Sequence, residues 1–458
     1  SSGLERTTAL IRSIILPREG ERHVHGNASF TSRYVLRAAS EARAAGHGLV
    51  LLHSHPGAEG WQHLSGMDWE TESEYERVAR TATKMPLLGM TLGGHDSAWS
   101  ARFWFGRAAP TWAESVRSVS STLGVTWNDE LRAVPGVTSS QERTVSSWGE
   151  RAQGSISRLR VLVVGSGSVG LDVAQRLAAT GLVTVGVMDY DGVEARNLDR
   201  MIGATRLDAA LGRSKVDVAS QLMKSAATAH KIDIRRHEVS ITDPEGVSIA
   251  LDYDVIFSCV DRPWPRAVLN GLAYADLIPV IDGGIALDTF KDGRMRNGIW
   301  RAHTLVPGRP CMGCIGQLVA GDVSLDKLGL LDDPEYIKGA NRETPSRQNV
   351  AALSASVSSA LLAQFVSLTA HPGRRGVPAP LRYILSSHTL EHSTATSGPY
   401  CPYENATTLG DRRTPIAERR DDWRITVAAR ATTKHSLRLR VAAWVERLAR
   451  RTIDRIVD

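Results

Sequence analysis

Cysteine is scarce in this chain: four in 458 residues, at positions 259, 311, 314 and 401. That is far from the dense framework of a small secreted domain, so a reducing, cytoplasmic setting is the expectation. No apolar run reaches the roughly 20 residues a membrane-spanning helix needs. No charged-then-apolar leader stands at the start either, so neither a span nor a secretion signal is expected. Internal repeats and long low-complexity tracts are lacking too. So is a strong charge of either sign. The net charge of +6 is mild and gathers toward the C-terminus, in "LRLRVAAWVERLARRTIDRIVD". It hints at an acidic partner and gives no ground for nucleic-acid binding.

What is present is an ordinary globular composition, 42% apolar and 23% charged. At roughly 100–200 residues per domain, the length implies two or three domains. Residues 7–16, "TTALIRSIIL", read as a strand, 32–46 as a helix, and "HGLVLLHSHP" as a short buried strand ending in two histidines. "MDWETESEYERVARTAT" reads as a second amphipathic helix. "LLGMTLGG" and "SAWSARFWF" flank a turn and read as a hairpin. Residues 1–110 therefore form a mixed α/β unit, followed by a less regular connector over 111–140. From "RLRVLVVGSGSVGLDVAQRLAATG" onward strands and helices alternate, which argues for a mostly parallel sheet with helices on both faces. The tail, 405–458, is basic and ends in an amphipathic helix.

Two histidines at i and i+2, His53 and His55, point the same way from a strand end. With a carboxylate they make three nitrogen and oxygen ligands that suit zinc and leave a fourth position for water. Zinc brings the pKa of that water toward neutrality and polarises a carbonyl. A carboxylate must then take the proton, and a hydroxyl or amide must steady the oxyanion. "HSHP" followed by "SGMD" resembles the JAB/MPN metalloprotease signature, Glu…His-x-His-Pro…Ser-x-x-Asp. The resemblance implies His53, His55 and Asp68 as zinc ligands, Ser65 as the oxyanion helper and Glu5 as general base, with Glu19 and Glu21 as further candidates. The loop from His55 to Ser65 is longer than the family's, and His63 within it could serve as a ligand.

"GSGSVG" (165–170) fits G-x-G-x-x-G between a strand and a helix. Its glycines Gly165, Gly167 and Gly170 allow a tight turn and close approach of a phosphate, held by the helix N-terminus. Asp189, at the end of the next strand, suits ribose hydroxyls. "DYDGVEARNLDR" (189–200) resembles the D-x-D-x-V-x-x-x-N-L-x-R block of the ThiF/MoeB/HesA and ubiquitin-activating family, whose members adenylate the C-terminal carboxylate of a ubiquitin-like protein. The likeness extends over residues 141–404 and implies a Rossmann-like adenylation domain using ATP and magnesium. It implies that Asp189, Asp191, Asn197, Arg200 and Lys215 handle the nucleotide, that Asp261 holds magnesium, and that Arg143 reaches across a dimer interface. The family's glutamine after the arginine is Met201 here.

Cys311-x-x-Cys314 matches the first half of that family's structural zinc site. The second half reads "CPYE": Cys401 is present, but Glu404 stands where a cysteine is expected. The fourth ligand is then Glu404 or His392, or the metal is lost. If three cysteines bind zinc, only Cys259 remains, in a buried strand where a thiolate is disfavoured. The chain would then stop at the acyl-adenylate. Otherwise one of the other cysteines carries a thioester.

Together the resemblances imply a fusion that trims and activates a ubiquitin-like modifier ending in Gly-Gly, handing it to a conjugating enzyme and working as a homodimer. Such fusions resemble those of bacterial ubiquitin-like conjugation systems, some of them antiviral, and the arginine-, alanine- and valine-rich composition suits a high-GC bacterium. The alternatives are activation of a sulfur-carrier protein for thiocarboxylate formation, or a metal-free JAB fold that only binds the modifier.

Overall fold

The computed structural model describes residues 1–25, 27–106, 109–333, 337–338 and 348–457. The chain divides into two compact units, one of Ile11–Ser118 with Gly124–Val134, the other of Ser1–Leu10, Val119–Leu123 and Pro135–Asp458.

In the smaller unit, β1 (Arg22–His25) and β2 (Asn27–Phe30) form a hairpin. Then come α1 (Ser32–Ala44), β3 (Val50–His55), α2 (Gly66–Thr83), β4 (Leu87–Gly93), β5 (Trp99–Trp104) and β6 (Thr111–Trp112). Thr31 caps α1 by accepting the Tyr34 N–H, and α1 buries Val35, Ala38, Ala39 and Ala42 at helical spacing. The sheet runs β3-β4-β5-β6, with β3 and β4 parallel and the remaining pairs antiparallel. Leu49, Leu51, Ala79, Leu87 and Trp104 join Val35, Ala38 and Ala39 in one core. An ion pair is buried in this unit. Glu72 of α2 accepts from Nε of Arg102 at 2.9 Å and from Nε1 of Trp104 at 2.7 Å, while Arg102 Nη1 donates to Thr91 at 2.8 Å.

Residues 7–16 are not the expected strand. Ile11, Ile14 and Leu16 are exposed, and the only pairing there is a single bridge between Ser2 and Thr7. An apolar, β-branched run without a partner edge has no ladder to join. The expected irregular connector, 111–140, in fact holds β6, β7 (Ser115–Val119) and β8 (Leu123–Trp127), the last two paired as a separate sheet.

The larger unit opens with α3 (Glu142–Trp148) and α4 (Glu150–Ile156). It continues through β9 (Arg160–Val164), α5 (Ser168–Ala179), β10 (Thr184–Met188), α6 (Arg206–Leu211), α7 (Lys215–Ala226), β11 (Asp233–His237), α8 (Pro244–Ala250) and β12 (Val255–Ser258). After α9 (Pro263–Ala275) the chain forms β13 (Val280–Thr289), β14 (Met295–Leu305), α10 (Ala320–Lys327), and later β15 (Leu381–Ile384) and β16 (Thr389–His392). One eight-stranded sheet runs β11-β10-β9-β12-β13-β14-β15-β16. Its first five strands are parallel and the last three antiparallel. This is an α/β fold with a mostly parallel, Rossmann-like sheet. Runs such as "RVLVV" and "VIFS" are almost wholly buried, as strands covered on both faces require.

The order reverses between β9 and β12. That is the switch point at which ligands bind beyond the strand ends in such sheets. The register aligns Met188, Val164, Ser258 and Asp282 across β10, β9, β12 and β13, so the loops after the first three leave the sheet side by side while β13 runs on past them to Thr289. Helix Ala351–Thr369 is long and apolar enough to cross a bilayer, although the sequence had suggested no such run. It packs on α5, β13 and β14 through Val357, Leu361, Phe365 and Leu368, and carries Ser354, Ser358 and Gln364 buried beside them.

Candidate functional sites

The first site sits at the end of β3. Strand alternation puts His53 and His55 on one face, and their Nε2 atoms lie 3.1 Å apart. Asp68 closes the triangle, with Oδ1 3.2 Å from His53 and Oδ2 3.4 Å from His55. Asp68 is held there as the third residue of α2, in a capping box with Ser65. Ser65 Oγ donates to Asp68 Oδ2 at 2.7 Å and accepts the Asp68 N–H at 3.2 Å. Burial depresses the His53 pKa, against the opposing pull of Asp68, so the neutral imidazole is favoured. Burial raises Asp68, but the Ser65 hydrogen bonds and the two imidazoles outweigh it and leave the carboxyl below its usual range. A carboxylate and two imidazoles converging on one point are the donor set zinc takes.

The three candidate glutamates for the general base differ in their settings. Glu5 belongs to the larger unit: its N–H donates to Asp252, and its carboxylate pairs with Arg235 at 2.7 Å. Glu21 is buried and clasped by Arg37, whose hydrogen bond first of all holds the carboxyl down to about 2. A carboxylate so held is a poor proton acceptor. Glu19 is exposed. Among the described residues no hydrogen bond or ion pair links any of the three to the His53–His55–Asp68 group. His63 stands apart from it, its ring against Trp112 and its Nε2 3.8 Å from Glu130.

The second site lies at the switch point. Gly165 adopts φ +92°, and a Cβ there would meet the Cys259 carbonyl at 2.6 Å. A Cβ on Gly170 would meet the Gly165 carbonyl oxygen at 1.8 Å, so this glycine lets α5 close onto the turn. Gly167 differs: nothing lies within 4 Å of a Cβ there, so the turn opens into free space. It is also the N-cap of α5 and supplies no side-chain cap, which leaves the first N–H groups of a twelve-residue helix available to an anion.

Asp189 anchors the neighbouring loop. Oδ2 accepts the Ser166 N–H at 2.7 Å and Oδ1 the Asp191 N–H at 2.9 Å. Burial pushes its carboxyl above the usual range, opposed by Lys215. Lys215, the first residue of α7, pairs with Asp191 at 2.8 Å. Burial works to lower its pKa, yet Asp189 and Asp191, with a smaller contribution from Asp261, hold it above the ordinary lysine value. Asp261 is exposed between β12 and α9. Asn197 and Arg200 sit on the adjacent turn: Asn197 accepts the Glu194 N–H at 3.0 Å, and Arg200 donates to Asp199 and to the Arg196 carbonyl at 2.7 Å. Arg143 is exposed on α3. The structure thus gathers Gly165, Gly167, Gly170, Asp189, Asp191, Lys215 and Asp261, carries Asn197 and Arg200 on the turn that follows Asp191 in sequence, bonded within that turn, and joins Arg143 to none of them by a hydrogen bond or ion pair among the described residues.

The third cluster unites residues 90 apart in sequence. Cys311 Sγ lies 3.6 Å from Cys314 Sγ and 3.5 Å from Cys401 Sγ. Tetrahedral zinc with four sulfurs at 2.3 Å spaces them by about 3.8 Å, so the group fits the metal. Glu404 spends Oε1 on the Gly308 N–H at 3.0 Å and leaves Oε2 buried without a hydrogen-bond partner, but its carboxylate is not among the converging ligand atoms, which are the three sulfurs. His392 is exposed at the end of β16 and takes no part in the cluster. Cys259 is displaced far above the ordinary thiol range by burial and by Asp282. The motifs missed Asp282 itself, a fully buried carboxylate at the end of the same row of strands, because only the register reveals it.

Among curated proteins, the chain resembles the adenylyltransferase and sulfurtransferase uba4 of Emericella nidulans, 30% identical over 175 residues, covering 38% of this chain and 35% of that protein. It also resembles the adenylyltransferase and sulfurtransferase MOCS3 of Culex quinquefasciatus, 29% identical over 144 residues, 31% of this chain and 32% of that protein. The chain therefore spans about a third of the length of these relatives. Among solved structures, E. coli MccB with MccA-N7isoASN superposes with a TM-score of 0.47 at 16% identity, over 58% of this chain and 74% of that one. Residues 139–370, half of the chain, match the sequence model of the ThiF family, and they hold the glycine turn, the Asp191–Lys215 pair and Asp261: the chain belongs to the ThiF family.

Proposed function

We propose that the larger unit uses ATP to adenylate the C-terminal carboxylate of a ubiquitin-like or sulfur-carrier protein. The observation that carries this reading is the open glycine turn at the switch point, with unused N–H donors on one side and Lys215 and Asp261 beside it. The triphosphate lies over the turn and the N-terminus of α5, and Asp189 takes the ribose. The substrate carboxylate attacks the α-phosphorus. The bond from that phosphorus to the bridging oxygen breaks, pyrophosphate leaves, and an acyl-adenylate remains. Lys215 neutralises the charge that builds on the phosphates. Asp261 would hold magnesium, which supplies further neutralisation of the departing pyrophosphate. No enzyme nucleophile is needed, which agrees with a Cys259 thiol whose pKa is pushed up and with three clustered cysteines. The curated relatives are named as adenylyltransferases and sulfurtransferases, which supports the sulfur-carrier route over conjugation. The exposed Arg143 completes the site across a homodimer. Exchange of labelled pyrophosphate into ATP, dependent on a carboxylate substrate and lost in Asp261→Ala, tests the reading. An unchanged rate in that variant removes the magnesium assignment.

A second reading concerns the smaller unit and rests on the His53–His55–Asp68 triangle. These residues would hold zinc, which supplies an activated water for peptide or isopeptide hydrolysis at the modifier's tail. Ser65 would steady an oxyanion by turning its hydroxyl away from Asp68, to which it donates at 2.7 Å. A modifier carrying a C-terminal extension should be cut by the wild type and not by His53→Ala; equal cutting by both rejects the reading. Cys311, Cys314 and Cys401 would hold zinc in a structural role, with Glu404 the candidate for the fourth position.

A further inference from the structure

Beyond the switch point, two arginines meet over one glycine. Arg266, on the second turn of α9, and Arg301, on β14, both lie where a side chain of residue 284 would stand. A Cβ on Gly284 would meet Arg266 Nη2 at 2.9 Å, Arg301 Nη2 at 3.0 Å and Arg301 Nε at 3.1 Å. The register explains the convergence, since Gly284 is the direct cross-strand partner of Arg301. A single carboxylate serves both cations. Asp282 Oδ2 takes Arg301 Nη1 at 2.9 Å, and Oδ1 takes the Ser258 hydroxyl at 2.7 Å. Arg266 Nε stays 3.5 Å from Asp282 and has no hydrogen-bond partner although it is buried. Gln317, three residues past Cys314, accepts a hydrogen bond from Arg301 and fixes it from the side of the cysteine loop.

Two guanidinium groups against one carboxylate leave an excess positive charge; Arg266 Nη2 donates to the Gly283 carbonyl at 3.4 Å while its Nε is a spare donor, which makes a site for an anion. Its place in the sheet says which anion. Parallel neighbours lie about 4.8 Å apart. The order β10-β9-β12-β13 therefore sets out, in a row, Asp189, the glycine turn, Asp261 and the arginine pair. The glycine turn takes phosphate, and the arginines lie two strands away, roughly 10 Å off. Asp261 falls between the two. The geometry points to Arg266 and Arg301 as the site that receives the C-terminal carboxylate of the protein substrate and presents it to the α-phosphate over β12. Gly284 is small so that both guanidinium groups, and the tail lying on them, can approach the strand. This inference rests on the adenylation reading and names the residues that choose a free carboxylate as the substrate.

The test uses the full chain, ATP, and a ten-residue peptide ending in Gly-Gly as probe, both with a free C-terminal carboxylate and as the C-terminal amide. Pyrophosphate exchange is followed over a range of peptide and ATP concentrations. Arg301→Gln should raise the KM for the carboxylate peptide about tenfold or more, as loss of a charge-assisted hydrogen bond implies. The KM for ATP should stay within about twofold, and Arg301→Lys should recover part of the loss. Arg266→Gln, which breaks no hydrogen bond of Nε, should act in the same direction and serves where Arg301→Gln folds poorly. An unchanged peptide KM in both glutamine variants overturns the carboxylate site and leaves adenylation standing. Equal rises in the two KM values assign the arginines to nucleotide phosphates and also overturn it. A wild type that exchanges pyrophosphate with neither peptide removes the adenylation reading and this inference with it.

Discussion

The ammonium of Lys215 lies 2.8 Å from the carboxylate of Asp191, at the mouth of the glycine turn. Asp189, Asp191 and Asp261 together hold this lysine charged despite its burial. Entry of a triphosphate adds negative charge beside the one cation that these carboxylates already share. Lys215→Met should therefore cut carboxylate-dependent pyrophosphate exchange by about 10²-fold or more. Steady-state exchange of the purified variant checks this, and a loss under threefold would place Lys215 outside the nucleotide site.

The Glu72–Arg102 pair is buried, and it lies one helical turn beyond Asp68. Replacing Arg102 by Met strands a carboxylate in the core of the smaller unit. Such losses cost about 3–5 kcal/mol, so that unit should unfold at a markedly lower denaturant midpoint while the larger unit keeps its own. Urea titration followed by hydrogen exchange resolved along the sequence reads both.

Metal content separates the two ligand clusters. Wild-type protein should carry two zinc ions per chain by elemental analysis. His53→Ala combined with His55→Ala should lose one and keep exchange activity, and Cys314→Ser should lose the other and lower the thermal midpoint. Glu404→Gln, which removes the carboxylate whose Oε2 has no protein partner, should weaken retention of the second ion against a chelator.

Glu446 ties the C-terminal helix Leu437–Val457 to the rest of the larger unit through Arg213, at 2.7 Å. The Arg213 hydrogen bond is the chief reason its carboxyl is held down to about 2. The folded pKa is below the unfolded value of about 4.3, so the stabilisation is full above pH 4.3 and disappears as pH falls through about 2. Hydrogen exchange should show Leu437–Val457 loosening across that window, and Arg213→Ala should produce the same loosening at neutral pH.

Local patterns were readable in the sequence. The glycine turn, the strand before it and the helix after it occupy one short stretch, and strand alternation alone puts His53 and His55 on one face. Distant groupings were readable only where a family motif carried them, as for Cys311, Cys314 and Cys401. Glu5 precedes the histidines in order, yet Asp252 takes the N–H groups of residues 4–6 and draws that segment into the other unit. The run at 7–16 has the composition of a strand and no edge to pair with. Arg301 carries no motif, and only the β13–β14 register brings it over Gly284.

The central claim is that a carboxylate attacks the α-phosphate of ATP in the larger unit. It is tested most directly by supplying a Gly-Gly-ending substrate labelled with ¹⁸O in its terminal carboxylate and analysing the nucleotide product by mass spectrometry. The account predicts AMP carrying one ¹⁸O, with unlabelled pyrophosphate. Formation of ADP and phosphate, or of AMP without label, would contradict it.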